Sequence, residues 1–252
     1  MTKPIVGGFI PARYASTRLP GKPLAEILGK PMIQRVYERC LQAQSLDLVW
    51  VATDDERIVR AVEAFGGRAV MTSPSHPSGT DRLAEAVQQT DADIVVNIQG
   101  DQPFIDPRMI EEAVQPLLDD PSLPLCTLIH PVTDPRDWED PGVVKTVIDL
   151  AGNALYFSRS LVPYPQKSAP HKVYEHVGLY VYRRDFLLDV AKLTPTPLEQ
   201  VESLEQLRWL EHGYRIRCVE THCEDNAFSG FSIDTWEDVE RAEAMLRERG
   251  LQ

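Results

Sequence analysis

The sequence lacks the motifs that mark the commonest nucleotide and hydrolase sites. It has no G-x-x-x-x-G-K-[ST] phosphate loop, no G-x-G-x-x-G after its first apolar run, no G-x-S-x-G elbow and no H-E-x-x-H. Its four cysteines, Cys40, Cys126, Cys218 and Cys223, form no C-x-x-C pair. That excludes the usual zinc-ribbon and dithiol spacings and predicts thiols in a reducing compartment. No apolar run reaches the roughly 20 residues that span a bilayer. The Met1–Pro4 start carries no apolar signal segment, so a cytoplasmic protein with no membrane insertion is expected. Cations are the minority: 26 Lys and Arg against 38 Asp and Glu leave a net charge of -12. This balance argues against a broad nucleic-acid surface but not against a small basic pocket. Internal repeats, low-complexity tracts and long linkers are also missing. With 252 residues, 43% of them hydrophobic, one large domain with its own core is expected.

What is present alternates. Residues 4–11, 47–54, 68–72 and 94–99 read as strands. Helices are predicted over 31–44, 55–65, 80–90 and 107–118. In the first of these Ile33, Val36, Tyr37 and Cys40 share one face, and a proline opens the first turn. Such alternation indicates βαβ units around a mostly parallel sheet flanked by helices, an α/β class. The second half is more mixed, with strands at 143–149, 177–182 and 214–219 and helices over 198–212 and from 236. Asp54, Asp101 and the turn after the first strand fall at carboxyl ends of strands, the edge where open α/β sheets bind ligands.

The turn, IPARYASTRLPGK from Ile10 to Lys22, concentrates Arg13, Arg18 and Lys22 in an acidic chain. Gly21 and the small residues Ala12, Ala15, Ser16 and Thr17 let backbone N–H groups approach a ligand, and the cations are fixed donors for phosphate oxygens. A solvated loop of surface ion pairs is the alternative. In VNIQGDQP, Asp101 follows an apolar strand, where a carboxylate caps the next turn or holds a cation. Asp234, in SIDTWED, is either an N-cap for the last helix or a second carboxylate for the same ion. Mg²⁺, which favours oxygen ligands and substrate phosphates, fits that pair. In HPSGTDRL, Ser78, Gly79 and Thr80 cap a helix or read a base edge or ribose. Arg159, in an aromatic segment, is expected to meet a carboxylate. His176 and Tyr180 are core residues or pocket groups, and Glu205 and Gln206 stand on a predicted helix.

Taken in order, IPARYASTRLPGKPL, VATDDERI, SGTDRL, VNIQGDQP, ALYFSR, HVGLYVY, LEQLR and IDTWEDVE resemble the 3-deoxy-manno-octulosonate (KDO) cytidylyltransferases over residues 4–247. The resemblance implies a Rossmann-like nucleotidyltransferase fold with a smaller sugar-binding and dimerisation part. CTP would occupy about 1–130 plus 220–252, and the sugar about 131–219. It implies transfer from CTP to an eight-carbon keto sugar acid, giving CMP-KDO and pyrophosphate for lipopolysaccharide synthesis, with Mg²⁺ as cofactor. Pro11, Ala12, Arg13, Ser16, Arg18, Lys22, Asp54, Ser78, Gly79, Thr80 and Asp101 would bind CTP. Gln99, Gln102, Arg159, His176, Tyr180, Glu205 and Gln206 would surround the sugar, and Asp101 and Asp234 would hold the metal. Arg18, Lys22, Asp101 and Asp234 would be catalytic. The family is typically homodimeric, with the 199–208 helix at the expected contact.

Three departures stand out. Gln102 replaces the usual Glu of GDEP, the stretch from Arg159 to His176 is short, and SIDTWED replaces GVDTPED. The first two resemble the branch that activates 8-amino-3,8-dideoxy-KDO, so sugar identity stays open between KDO, its 8-amino analogue and another sugar acid. A nucleotide-binding module without turnover is the non-enzymatic alternative.

Overall fold

A computed structural model describes residues 3–16, 18–167, 171–223, 228 and 230–251. The chain divides into two compact units, Met1–Glu111 with Cys223–Gln252, and Glu112–His222. The joins expected from the sequence lay near 130 and 220.

In the first unit, β1 (Val6–Ala12) is central. It pairs in parallel with β4 (Leu48–Thr53) and with β6 (Ile94–Asn97), and β4 pairs in parallel with β5 (Ala69–Met71). Parallel neighbours need crossovers, and three short helices follow in sequence: α1 (Met32–Cys40), α2 (Glu56–Ala64) and α3 (Gly79–Ala86). A two-stranded hairpin, β2 (Glu26–Ile27) and β3 (Lys30–Pro31), precedes α1. Asp55 caps α2 by accepting the Arg57 N–H at 2.9 Å, and Ser78 caps α3 through the Asp81 N–H at 3.2 Å. The last helix, α8 (Trp236–Glu248), begins at the N-cap Thr235, which forms a capping box with Asp238. One apolar cluster joins Leu19, Ile27, Met32, Phe104, Ile233, Val239 and Leu246. Burying Ile233 completely contributes about 1.5–3 kcal/mol and pins the chain beside Asp234.

The second unit is built on β10 (Tyr174–Arg183), antiparallel to β7 (Leu125–Pro131) and to β8 (Lys145–Ile148). Strand β9 (Ala154–Ser158) pairs antiparallel with β8, and β11 (Arg217–Glu220) runs parallel to β7. The helix α4 (Pro107–Asp119) contains the join between the units, and α5 (Arg184–Val190) follows β10. The single helix expected over 198–212 is two, α6 (Pro197–Glu202) and α7 (Gln206–Glu211). Ser203 takes a left-handed conformation, φ 54°, and ends the first. The carboxylate of Glu199 in α6 then accepts a bidentate pair of bonds from Arg208 in α7, its Nε donor at 2.7 Å, with both side chains largely buried. Strands β7 and β9 and helix α5 were not expected from the pattern. All four cysteines are buried thiols, and burial pushes Cys40 and Cys126 upward and Cys218 to about 12. Among the described residues no helix is long and apolar enough to cross a membrane.

Candidate active site

A cleft of about 500 Å³ opens in the first unit at the carboxyl ends of β1 and β6. Its wall includes Pro11, Ala12, Arg13, Ser16, Arg18 and Lys22 from the basic turn, Ser78 and Gly79 from the start of α3, and Gln99, Asp101 and Asp234. The turn is tightly built: Tyr14 carbonyl accepts the N–H groups of Ser16 and Gly21, each at 3.0 Å, and Ser16 Oγ accepts the Leu19 N–H at 3.3 Å. Gly21 sits at φ 71°, a left-handed position that L side chains rarely adopt. Thr17 lies outside the described residues.

Lys22 donates to both aspartates, to Asp101 Oδ2 at 2.8 Å and to Asp234 Oδ1 at 2.9 Å. Arg18 Nη2 reaches the same Asp234 oxygen at 2.9 Å. Residues 101 and 234 are drawn together by the backbone as well, since the Ile233 N–H donates to the Asp101 carbonyl at 3.0 Å. The capping alternative for Asp234 fails because Thr235 is the N-cap, which leaves the Asp234 carboxylate to the cleft. For Ser78 the capping role holds, and the residue lines the cleft as well.

Two ionisable residues of the cleft wall, Arg82 and His76, were missed from sequence. Arg82 on α3 is almost fully buried and donates to Asp54 Oδ2 at 2.9 Å and to Thr72 Oγ1 at 2.6 Å. Asp54 therefore fixes Arg82, and it is Arg82 that reaches the cleft wall. An arginine four residues after Ser78 in the SGTDRL motif was the available signal. His76 also lines the cleft and its Nε2 meets Glu85 at short range. The Ser73 N–H and then His76 hold the Glu85 carboxyl below its ordinary range. Thr80, by contrast, is buried within α3.

The second unit holds Arg159, His176, Tyr180, Glu205 and Gln206. Among the described residues the side chain of Arg159 meets no carboxylate, contrary to expectation. Its guanidinium donates to carbonyls, Glu202 at 2.8 Å and Pro141 at 2.8 Å, while its backbone N–H takes the Glu202 carboxylate at 2.9 Å. The reason is the break at Ser203: a helix C-terminus presents unpaired carbonyls that favour a cation. His176 packs between Phe157 and Tyr180, with ring centroids 5.1 and 5.2 Å away, and Tyr180 stacks edge-on against Trp209 at 5.3 Å. Thr127 Oγ1 has one proton and donates it to a carbonyl, Leu179 being nearest at 2.8 Å. It therefore accepts from His176 Nε2 at 3.1 Å, which assigns the neutral Nε2–H tautomer. Tyr180 Oη, Gln206 Nε2 and Trp209 Nε1 are buried with no hydrogen-bond partner among the described residues. Buried groups of this kind call for a polar partner, an ordered water or a ligand. Burial first, then Tyr182 and Glu205, push the Tyr180 hydroxyl well up, so it remains a donor.

Burial pushes His176 down to about 3. Between that value and its ordinary 6.5, the unfolded chain binds one more proton than the folded chain, so this residue makes stability fall as pH falls. Relative to His176→Phe, the wild type should lose up to about 1.4 kcal/mol per pH unit between pH 6 and 4, measured by urea unfolding at each pH. Parallel curves for the two proteins would refute a buried neutral imidazole.

The family model described as cytidylyltransferase matches residues 8–216. The 3-deoxy-manno-octulosonate cytidylyltransferase of Syntrophotalea carbinolica is 54% identical over 251 residues, covering 96% of this chain and 98% of that protein. The Escherichia coli protein of the same description is 48% identical, covering 98% and 97%. The chain belongs to the 3-deoxy-manno-octulosonate cytidylyltransferase family. A solved structure of CMP:2-keto-3-deoxy-manno-octonic acid synthetase complexed with CTP matches with a TM-score of 0.92 at 46% identity, covering 97% of this chain and 99% of that one. A cytidylyltransferase from Leptospira borgpetersenii, 18% identical with a TM-score of 0.65, shares the α/β fold.

Family membership makes the chain a nucleotidyltransferase, and the wall of its cleft depends on one close backbone approach. A Cβ on Gly100 would stand 2.8 Å from the Pro11 carbonyl oxygen, closer than such atoms pack. Gly100→Ala should therefore part the ends of β1 and β6, costing about 1–3 kcal/mol of stability. Both the melting temperature and cytidylyltransferase turnover should fall. Unchanged values in both would show that these strand ends are not constrained.

Proposed function

We propose that this chain transfers the cytidylyl group of CTP to KDO, giving CMP-KDO and pyrophosphate for lipopolysaccharide synthesis. The convergence of Arg18, Lys22, Asp101 and Asp234 in one cleft is the observation that carries the reading. In this reading the anomeric C2 hydroxyl attacks the α-phosphorus in line. The new C2–O–P bond forms as the bond from the α-phosphorus to the bridging oxygen breaks, pyrophosphate leaves, and the hydroxyl proton passes to water. Arg13, Ser16, Arg18 and Lys22 orient the triphosphate, and the two cations offset charge on the leaving pyrophosphate. Ser78, Gly79 and Arg82 bound the nucleoside end. Positioning and charge stabilisation dominate such transfers, so no protein nucleophile is required.

Asp101 and Asp234 would hold Mg²⁺. They fit: both carboxylates are about one-third exposed toward the cleft and already converge on a single cationic atom, Lys22 Nζ. Among the described residues no group of three or more His, Cys, Asp or Glu is suited to a metal, so the protein would offer two oxygen donors, with substrate and water supplying the others. Bound Mg²⁺ supplies Lewis-acid neutralisation of phosphate charge and lowers the pKa of the attacking hydroxyl.

Arg159, His176, Tyr180, Glu205 and Gln206, all of the second unit, are assigned to the sugar acid. The unpaired polar atoms of Tyr180 and Gln206 support this, because a polyhydroxylated ligand satisfies them. A homodimer acting in the cytoplasm is part of the same reading. The exposed Leu198 and Val201 on α6 and Leu155 on β9 are apolar surface that a second copy could cover, which light scattering would detect.

The test is pyrophosphate release from CTP and Mg²⁺ with KDO and, separately, with its 8-amino analogue. Release with KDO above the sugar-free control is expected. A preference for the amino sugar would assign Gln102 to C8 recognition. Silence with both would reject the reading.

A further inference from the structure

We propose that Lys22 is an internal counter-cation that occupies the metal position until a nucleotide arrives. The inference rests on the reading above that Asp101 and Asp234 are metal ligands. Lys22 Nζ bonds one oxygen from each carboxylate, at 2.8 and 2.9 Å, and Arg18 adds a second positive charge at Asp234. Two carboxylates and two cations are neutral together. A divalent ion entering this cluster meets an ammonium already seated between its two protein ligands, and the site would gain two net positive charges. That is costly at a lysine whose side chain is only 14% exposed, where solvent screens little.

A triphosphate changes the balance. It carries close to four negative charges and offers Lys22 and Arg18 new acceptors in the same cleft. Only the lysine stem has to swing. The backbone around it is held by the Leu24 N–H on the Gly21 carbonyl at 2.8 Å and by the Ala25 N–H on the Lys22 carbonyl at 3.1 Å. A compact ammonium on a four-carbon stem is suited to exchange partners in this way. The aspartates are then left with two uncompensated charges, which binds a divalent cation more tightly. The same lysine thus keeps two carboxylates from facing each other unpaired in the resting protein and serves the phosphates afterwards. By linkage, nucleotide and metal raise each other's affinity.

The experiment is titration of the nucleotide-free, full-length protein with Mn²⁺, following the free ion by electron paramagnetic resonance. Lys22→Met should bind Mn²⁺ about tenfold or more tighter than wild type, the size of an ordinary coupling between sites. Lys22→Gln, a second neutral variant, should do the same, and Lys22→Arg should stay close to wild type. Circular dichroism and melting temperature verify that each variant is folded. Loss of the gained affinity in Lys22→Met/Asp101→Asn completes the supporting result. If both neutral variants bind Mn²⁺ no tighter than wild type while Asp101→Asn abolishes uptake by the CTP-bound protein, the counter-cation role alone is overturned. If Asp101→Asn changes Mn²⁺ uptake in no protein, with or without CTP, the metal-ligand reading falls and takes this inference with it.

Discussion

Asp101→Asn is expected to lower kcat by roughly 10²-fold or more, comparable to the loss of a key transition-state donor. The substitution keeps the shape of the side chain and removes one charge. Its backbone carbonyl still accepts the Ile233 N–H, so the link that sets residues 101 and 234 together survives. Lys22 keeps the Asp234 partner at 2.9 Å. The fold should therefore hold, with a melting temperature near wild type, and CTP binding should persist through Arg13, Ser16 and Arg18. Loss of turnover with retained CTP binding is the pattern of a group acting in the transition state rather than in uniform binding. Turnover near wild type would remove Asp101 from the chemistry.

The second large effect concerns stability. Lys145 on β8 is fully buried, and its ammonium donates to three carbonyls: Asp140 at 2.7 Å, Val143 at 2.6 Å and Arg159 at 2.6 Å. Burial pulls its pKa below the usual lysine value, with the Asp140 carboxylate opposing. Lys145→Met matches the stem but leaves three acceptors unsatisfied. At about 1–3 kcal/mol for each buried orphan, the expected loss is about 3 kcal/mol or more. Urea unfolding monitored by circular dichroism measures it. Since one of the three carbonyls belongs to Arg159, the sugar concentration for half-maximal rate should rise as well. A loss below about 1 kcal/mol would mean that water replaces the ammonium without cost.

Much of this was legible in the sequence. The alternation of apolar runs with amphipathic helices predicted β1, β4, β5 and β6 with their crossovers, because a 2.0 or 3.6 residue period is a property of one element and its buried face. The cations of the first turn and the two aspartates could be picked out because charge beside an apolar strand is costly without a purpose. Strands β7 and β9 escaped. LCTLIHP is a short, mostly apolar run between prolines, interrupted by Thr127 and His130, which periodicity cannot tell from a buried helical turn, and ALYFS exposes Leu155 while burying Phe157 and Ser158. The helix expected over 198–212 carried an unbroken pattern. Its break at Ser203 became visible only with the Arg208–Glu199 pair that folds α7 back on α6.

The sequence by itself determined the class of the fold, the basic turn after the first strand, and the two carboxylates. It could do so because each follows from local patterning and from residue types in a short motif. Tertiary structure alone decided whom each charge meets. Asp101 and Asp234 are more than a hundred residues apart in sequence yet share Lys22. Arg159 turns to carbonyls, one at a helix end, rather than to a carboxylate, Asp54 pairs with Arg82, and Thr235 releases Asp234 from capping. The physical reason is that a charge a few ångströms from its partner is governed by distance in space and by burial, and neither is encoded in spacing along the chain.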